Sequence, residues 1–150
     1  MQLNLTTDYA IRALLHLAEQ RRVVTSQELA DFAKVSPNYI FKVMKMLRDA
    51  GYVEQLRGVK GGYMLVKEPD TITLLDVIQL MEPTTFLNRC LEPDHFCSRD
   101  GVGVCPVHDI YSAFQKKVEA FLRSFTIQSI LNQKPGRRVF PAAAEAFDRA

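Results

Sequence analysis

The chain has 150 residues, 47% of them apolar and 24% charged, and carries a net charge of +2 at pH 7. Such a content supports one ordinary compact domain and argues against disorder, while the small net charge makes any nucleic-acid role depend on where the lysines and arginines fall. The longest apolar stretches, Ala13 to Ala18 and Leu74 to Leu80, are interrupted by His16, Asp76 and Gln79, which excludes a membrane span of about 20 residues; no basic region followed by an apolar run and a cleavage site opens the chain, so the sequence predicts a cytoplasmic protein.

Thr7 is the predicted cap of a first helix, in which Ala10, Ile11, Leu14, Leu15, Leu17 and Ala18 recur at helical spacing before Arg21-Arg22. Thr25-Ser26-Gln27-Glu28 reads as a capping box, Thr25 accepting from the third amide and Glu28 reaching back, with Val24 and Leu29 as a hydrophobic staple. A short second helix over Ser26 to Phe32 follows. Ser36-Pro37 repeats the signal, serine at the cap and proline at the first helical position, and opens a third helix that runs to Ala50 and stops at Gly51. Two helices joined by so short a turn, the second richer in exposed basic and amide groups, make a helix-turn-helix pattern.

Tyr52 to Arg57 and Tyr63 to Val66 are strand-like, and Gly58-Val59-Lys60-Gly61-Gly62 between them forms a hairpin tip, the wing. Thr73-Leu74-Leu75-Asp76 supplies another capping box, with an Ile72 to Val77 staple, for a fourth helix that stops near Pro83. Residues 84–105 read as irregular. From Pro106 a longer helix places Ile110, Phe114, Val118, Phe121 and Phe125 on a narrow apolar seam of coiled-coil type. That seam packs either on the domain's own helices or, as this reading favours, on a second subunit. Thr126 caps a last short helix through Leu131, and a flexible tail is expected over 132–150.

The predicted fold is mainly α: a winged helix-turn-helix DNA-binding region over 1–83, a cysteine-rich loop over 84–105, a dimerisation helix and short terminal helix over 106–131, and the tail. In the third helix, Asn38, Lys42, Lys45 and Arg48 alternate with apolar Ile40, Val43, Met44 and Leu47, with Ser36 and Tyr39 as further candidates. A reading helix needs that division, because one face anchors in the core while amides and cations reach base edges and phosphates. A merely solvated face would look the same in this helix alone. The wing shifts the balance towards DNA, since Arg57 and Lys60 flank a glycine-rich tip in which Gly61 lets the backbone approach a phosphate. No lysine-serine pair follows the glycines, which argues against a nucleotide loop.

The three cysteines and a histidine follow as Cys90-x6-Cys97-x7-Cys105-x2-His108. An odd, local set of thiols is no disulfide framework; it suits a site built from reduced cysteines. Cys105 before Pro106 sits at a helix N-terminus, where free amides favour a thiolate. Three thiolates with one nitrogen or oxygen ligand complete either an iron-sulfur cluster or a tetrahedral zinc site, although no Cys-x2-Cys pair of zinc-knuckle type occurs. Unliganded cysteines in a loop are the alternative. His108 equally reads as a solvated or capping residue, His16 as structural and His95 as a surface residue.

The start Met1-Gln2-Leu3 with Thr7-Asp8-Tyr9-Ala10, the Val35-Ser36-Pro37-Asn38-Tyr39 helix start, the Arg57-Gly58-x2-Gly61-Gly62-Tyr63 wing, the Thr73-Leu74-Leu75-Asp76-Val77-Ile78 helix and the cysteine loop together resemble the Rrf-two family of bacterial winged-helix regulators, of IscR, NsrR and RirA type. The resemblance covers about residues 1–131. It implies a homodimer that binds a double-stranded operator and whose DNA affinity is set by a 2Fe-2S or 4Fe-4S cluster on Cys90, Cys97 and Cys105. The fourth ligand is His108 in the IscR type, which favours 2Fe-2S, or Asp8 from the partner subunit in the NsrR type, which implies 4Fe-4S. The cysteine spacing is longer than in either type. Phe41 stands where IscR-type proteins carry a glutamate that tunes base preference.

The expected function is therefore a dimeric transcription regulator, a repressor in keeping with the family it resembles, that senses iron-sulfur status, redox state or nitric oxide. Iron-sulfur assembly machinery is a further expected partner, and no membrane is. The competing reading is a zinc-stabilised winged-helix protein without redox sensing. No Ser-His-Asp or paired-carboxylate arrangement points to an enzyme.

Overall fold

The computed structural model describes residues 2–133. Helix α1 (Leu5–Gln20) buries Ala10, Ala13, Leu14, Leu17 and Ala18, an apolar stripe at the spacing that places side chains on one helical face. Its beginning corrects the sequence expectation. The N-cap is Asn4, and Thr7 lies fully buried inside the first turn, where its hydroxyl donates to the Glu82 carboxylate. The same carboxylate accepts from the backbone and side-chain amides of Asn4 at 2.7 and 2.6 Å. An acid from a distant part of the chain thus complements the positive end of α1.

Helix α2 (Ser26–Ala33) begins where expected, with Thr25 accepting from the Glu28 amide at 3.2 Å. The other half of the capping box is diverted. Glu28 turns to Arg22, at 2.7 and 3.0 Å, and to His16 Nε2 at 3.0 Å, because charged and buried partners on the preceding segment compete with the local amide. Helix α3 (Pro37–Asp49) buries Ile40, Val43, Met44 and Leu47, and Ser36 at its N-cap makes no side-chain cap bond. The αR geometry of Pro37 suffices to set its first turn.

Strands β1 (Val53–Leu56) and β2 (Gly62–Leu65) form an antiparallel hairpin with Val53 opposite Leu65 and Leu56 opposite Gly62. A pair of 2.8 Å hydrogen bonds between Val24 and Tyr63 fastens this hairpin to the turn ahead of α2. Gly62 is needed there: a Cβ would stand 2.3 Å from the Val24 carbonyl oxygen.

Helix α4 (Leu74–Met81) carries the complete Thr73–Asp76 capping box. Residues 82–105 hold two single-turn 3-10 segments, Arg89–Leu91 and Val102–Val104, where the sequence reads as irregular. Helix α5 (Pro106–Arg123) follows, then α6 (Ile127–Leu131), whose Thr126 cap is answered by Ser129. The chain after α5 is stitched back to the start of α4, with Leu74 donating to the Phe125 carbonyl at 2.8 Å and Ile127 to that of Ile72 at 2.9 Å. Ile127 joins Leu14, Leu17, Leu29, Ile40, Met44, Leu47 and Ile72 in the core, each such side chain contributing about 1.5–3 kcal/mol by leaving water.

The apolar seam of α5 divides. Phe125 is buried, with its ring 5.1 Å from that of Phe121, whereas Ile110 and Phe114 remain 65% and 43% exposed. One end of the seam is thus packed on the chain's own core and the other is open. The architecture is the expected one, mainly helical with a two-stranded wing; the tail after Gln133 lies outside the described residues.

Candidate DNA interface and cysteine loop

The buried stripe of α3 fixes which of its side chains face outwards: Ser36, Asn38, Phe41, Lys42 and Lys45 are exposed, and Tyr39 is half-buried. Tyr39 is held by α1. Its hydroxyl shares a 2.5 Å hydrogen bond with Thr6, and its ring meets Tyr9 edge-on at 5.5 Å. Lys45 donates to Asp49 at 2.8 Å, and Arg48 binds both Asp49 and, at 2.9 Å, Gln55 of β1. Lys45 first, and Arg48 after it, hold the Asp49 carboxyl below its ordinary range. Arg48 therefore braces the end of α3 against the wing.

Lys42 on α3 and Arg57 and Lys60 at the wing have no carboxylate partner among the described residues. These uncompensated cations are the ones best placed to neutralise phosphate. The tip turns at Gly58, whose φ of 104° is open to glycine, and the Gly61 amide donates to the Gly58 carbonyl at 2.9 Å. Gly61 thus shapes the tip, its own N–H being engaged within it. Val59, between the two cations, is fully exposed.

In the loop between α4 and α5, Cys90 sits on the first 3-10 turn with Sγ 3.4 Å from His108 Nδ1, one turn inside α5. Cys105 is the N-cap of α5, as its Pro106 neighbour predicted. The backbone amide of Gly101, and after it that of Arg99, push the Cys97 thiol below its ordinary range. All three cysteines are free and partly exposed. Arg89 organises the stretch between them by binding Glu92 and Asp94, with its guanidinium 5.7 Å from the Phe96 ring.

Of the predicted ligands, Cys90 and His108 are in contact, while among the described residues no group of three or more His, Cys, Asp or Glu side chains converges as a metal site. Asp8 lies on α1, paired with Arg12 at 2.5 Å. The donors nonetheless fit an iron-sulfur or zinc site in kind, three soft thiols and one imidazole. His16 is structural: it is buried, stacked on Phe32 at 4.2 Å and bonded to Glu28. His95 is exposed.

Several contributing residues escaped the sequence reading. Thr6 and Tyr9 set Tyr39, Glu82 anchors the start of α1, and Gln115 grips the beginning of the cysteine loop. Nothing local marks any of them, since Gln115 stands beside the apolar seam of α5 rather than on it.

The profile of the Rrf2 family, described as iron-dependent transcriptional regulators, matches residues 3–133. A protein of Aquifex aeolicus (strain VF5) described as an HTH-type transcriptional regulator is 33% identical over 139 residues, covering 92% of this chain and 96% of the relative. Two solved structures share the fold at 24% identity: CymR, the global cysteine regulator of B. subtilis, with a TM-score of 0.66 over 87% of this chain and 96% of that one, and T. potens IscR, with a TM-score of 0.68 over 91% and 94%. This chain belongs to the Rrf2 family of DNA-binding transcription regulators, which are not enzymes.

Proposed function

We propose that the protein is a cytoplasmic, homodimeric regulator that binds an operator through α3 and the wing and reads iron-sulfur status, redox state or nitric oxide through a cluster held by Cys90, Cys97 and Cys105. The contact of Cys90 Sγ with His108 Nδ1 is the observation that carries this reading. It places a soft sulfur beside an imidazole at the positive end of α5, where anionic thiolates are favoured. His108 is the fourth ligand on this view, with a 2Fe-2S cluster favoured over 4Fe-4S, and Asp8 of a partner subunit is the alternative donor. When bound, the cluster supplies iron chemistry that responds to oxidants and nitric oxide.

The chain's own residues do the rest. Residues 1–83 act as the reader and 84–105 as the sensor; in 106–131, α5 offers Val107, Ile110 and Phe114, spaced three and four apart and all exposed, to the same stripe of a second copy. Drawing Cys97 and Cys105 towards Cys90 would reshape the loop that begins two residues after Glu82. Glu82 holds the first turn of α1, and α1 holds Tyr39 of the reading helix. A tenfold change in operator affinity needs only about 1.4 kcal/mol between the two states. Delivery of the cluster makes iron-sulfur assembly machinery a further partner.

Anaerobic purification, with absorption and Mössbauer spectra and iron and sulfide counts per chain, tests the reading. Two iron and two sulfide support His108 ligation, four of each shift the fourth ligand to Asp8, and colourless protein with zinc alone overturns the sensing role. Cys97→Ala is expected to lose the iron.

A further inference from the structure

Gln115 is the one residue of α5 that is buried, on a helix otherwise at least partly exposed along its length. Its amide is fully used. The oxygen accepts from the Leu87 backbone at 2.9 Å, and the nitrogen donates to the Thr85 carbonyl at 3.1 Å and to Glu119 at 2.8 Å. One side chain therefore satisfies two backbone groups that stand two residues apart in the loop. Buried amides of this kind are costly to leave unpaired.

Gln115 lies seven residues after His108, two turns along one face of α5, a rise of about 10 Å. From Leu87, the point it grips, three residues lead to Cys90, the last two of them in the 3-10 turn Arg89–Leu91. The tether and the cysteine-histidine contact are thus two pegs on one helix face, joined by Asn88 and the compact 3-10 turn that carries Cys90. We infer that Gln115 is a positioning residue, which holds the loop so that Cys90 is presented to His108. The inference rests on the cluster reading for its purpose, but not for its geometry.

The test uses the full chain in metal-free form. Alkylation of Cys90 by iodoacetamide, followed by peptide mass spectrometry, is compared for wild type, His108→Ala, Gln115→Met and the double variant. Methionine keeps the length and bulk of the side chain and removes its hydrogen bonds. His108→Ala is expected to change the Cys90 rate in the wild-type background and leave Cys97 unaffected, whereas with Gln115→Met the effect of His108→Ala falls to unity. The Leu87 amide is expected to exchange about tenfold faster in Gln115→Met. An equal effect of His108→Ala in both backgrounds, or none in wild type, overturns the inference.

Thermal midpoints establish that each variant folds. Should Gln115→Met not fold, Gln115→Glu combined with Glu119→Gln, which keeps the acceptor for Leu87, loses the donor for Thr85 and avoids two facing carboxylates, is expected to show a partial loss of the same coupling; full coupling there overturns the proposal. Iron content after reconstitution separates the two readings. Wild type that takes up no iron while the coupling of Cys90 to His108 persists sinks the cluster reading and leaves the positioning role standing, whereas coupling that survives in Gln115→Met sinks the positioning role whatever the iron content.

Discussion

The carboxylate of Glu82, the residue that closes α4, receives both amides of Asn4, at 2.7 and 2.6 Å, and so clasps the start of the chain's first helix. Burial pushes the Glu82 carboxyl up, but the hydrogen bonds from Thr7 and from the backbone and side chain of Asn4 outweigh it and hold the group below its ordinary 4.5. A carboxyl depressed by folding stabilises the native state above its unfolded value, and that contribution is lost as the pH falls through the folded one. Glu82→Gln, which turns an amino group towards donors, is expected to cost about 1–3 kcal/mol at neutral pH. Urea denaturation from pH 7 downwards should show the gap between variant and wild type closing below pH 4.5; a gap independent of pH would contradict the clasp.

Gly62 is pinned between the wing and the Val24 turn, and the obstruction a side chain would meet is backbone. Gly62→Ala is expected to destabilise the protein by about 1–3 kcal/mol through overpacking. The loss should appear in the thermal midpoint and in weakened operator binding, since the same contact orients the hairpin.

Lys42 and Lys60 carry no intramolecular ion pair among the described residues, whereas Lys45 is tied to Asp49. Replacing Lys42 or Lys60 with Gln is expected to flatten the plot of log affinity against log salt by about one unit each. Lys45→Gln should flatten it less, because Lys45 must first release Asp49. Fluorescence anisotropy with an operator duplex at several salt concentrations measures this, and equal slopes for all three variants would remove the distinction.

Ile110 is 65% exposed in the single chain. If a second copy covers it, Ile110→Lys should shift sedimentation from dimer to monomer and remove the dependence of the thermal midpoint on protein concentration. Sedimentation unchanged from wild type would place the dimer contact elsewhere.

The Cys97 thiol, lowered by the Gly101 and Arg99 amides, should react with iodoacetamide at lower pH than a free cysteine does. A pH profile of its alkylation, read by mass spectrometry in metal-free protein, checks this directly; a midpoint at or above that of free cysteine counts against the turn.

What was legible in the sequence was local. Thr25, Thr73 and Thr126 cap the helices they precede, Gly51 follows α3, and Gly58 turns the wing, because caps and turns are decided by hydrogen bonds and dihedral limits within four or five residues. The buried faces of α1 and α3 were legible for the same reason, as spacing fixes which side chains share a helical face. Thr7 shows the boundary of that logic: its sequence neighbours make it a cap, and its hydroxyl instead serves Glu82, 75 residues away.

Only the tertiary structure decided such pairings. Thr6 with Tyr39, Gln115 with Leu87, Cys90 with His108 and Glu28 with His16 all depend on the angles at which helices pack. Those angles follow from how whole apolar faces interlock. A sequence states which residues are available to hydrogen-bond, but polar partners separated by many residues meet only once the core has placed their backbones.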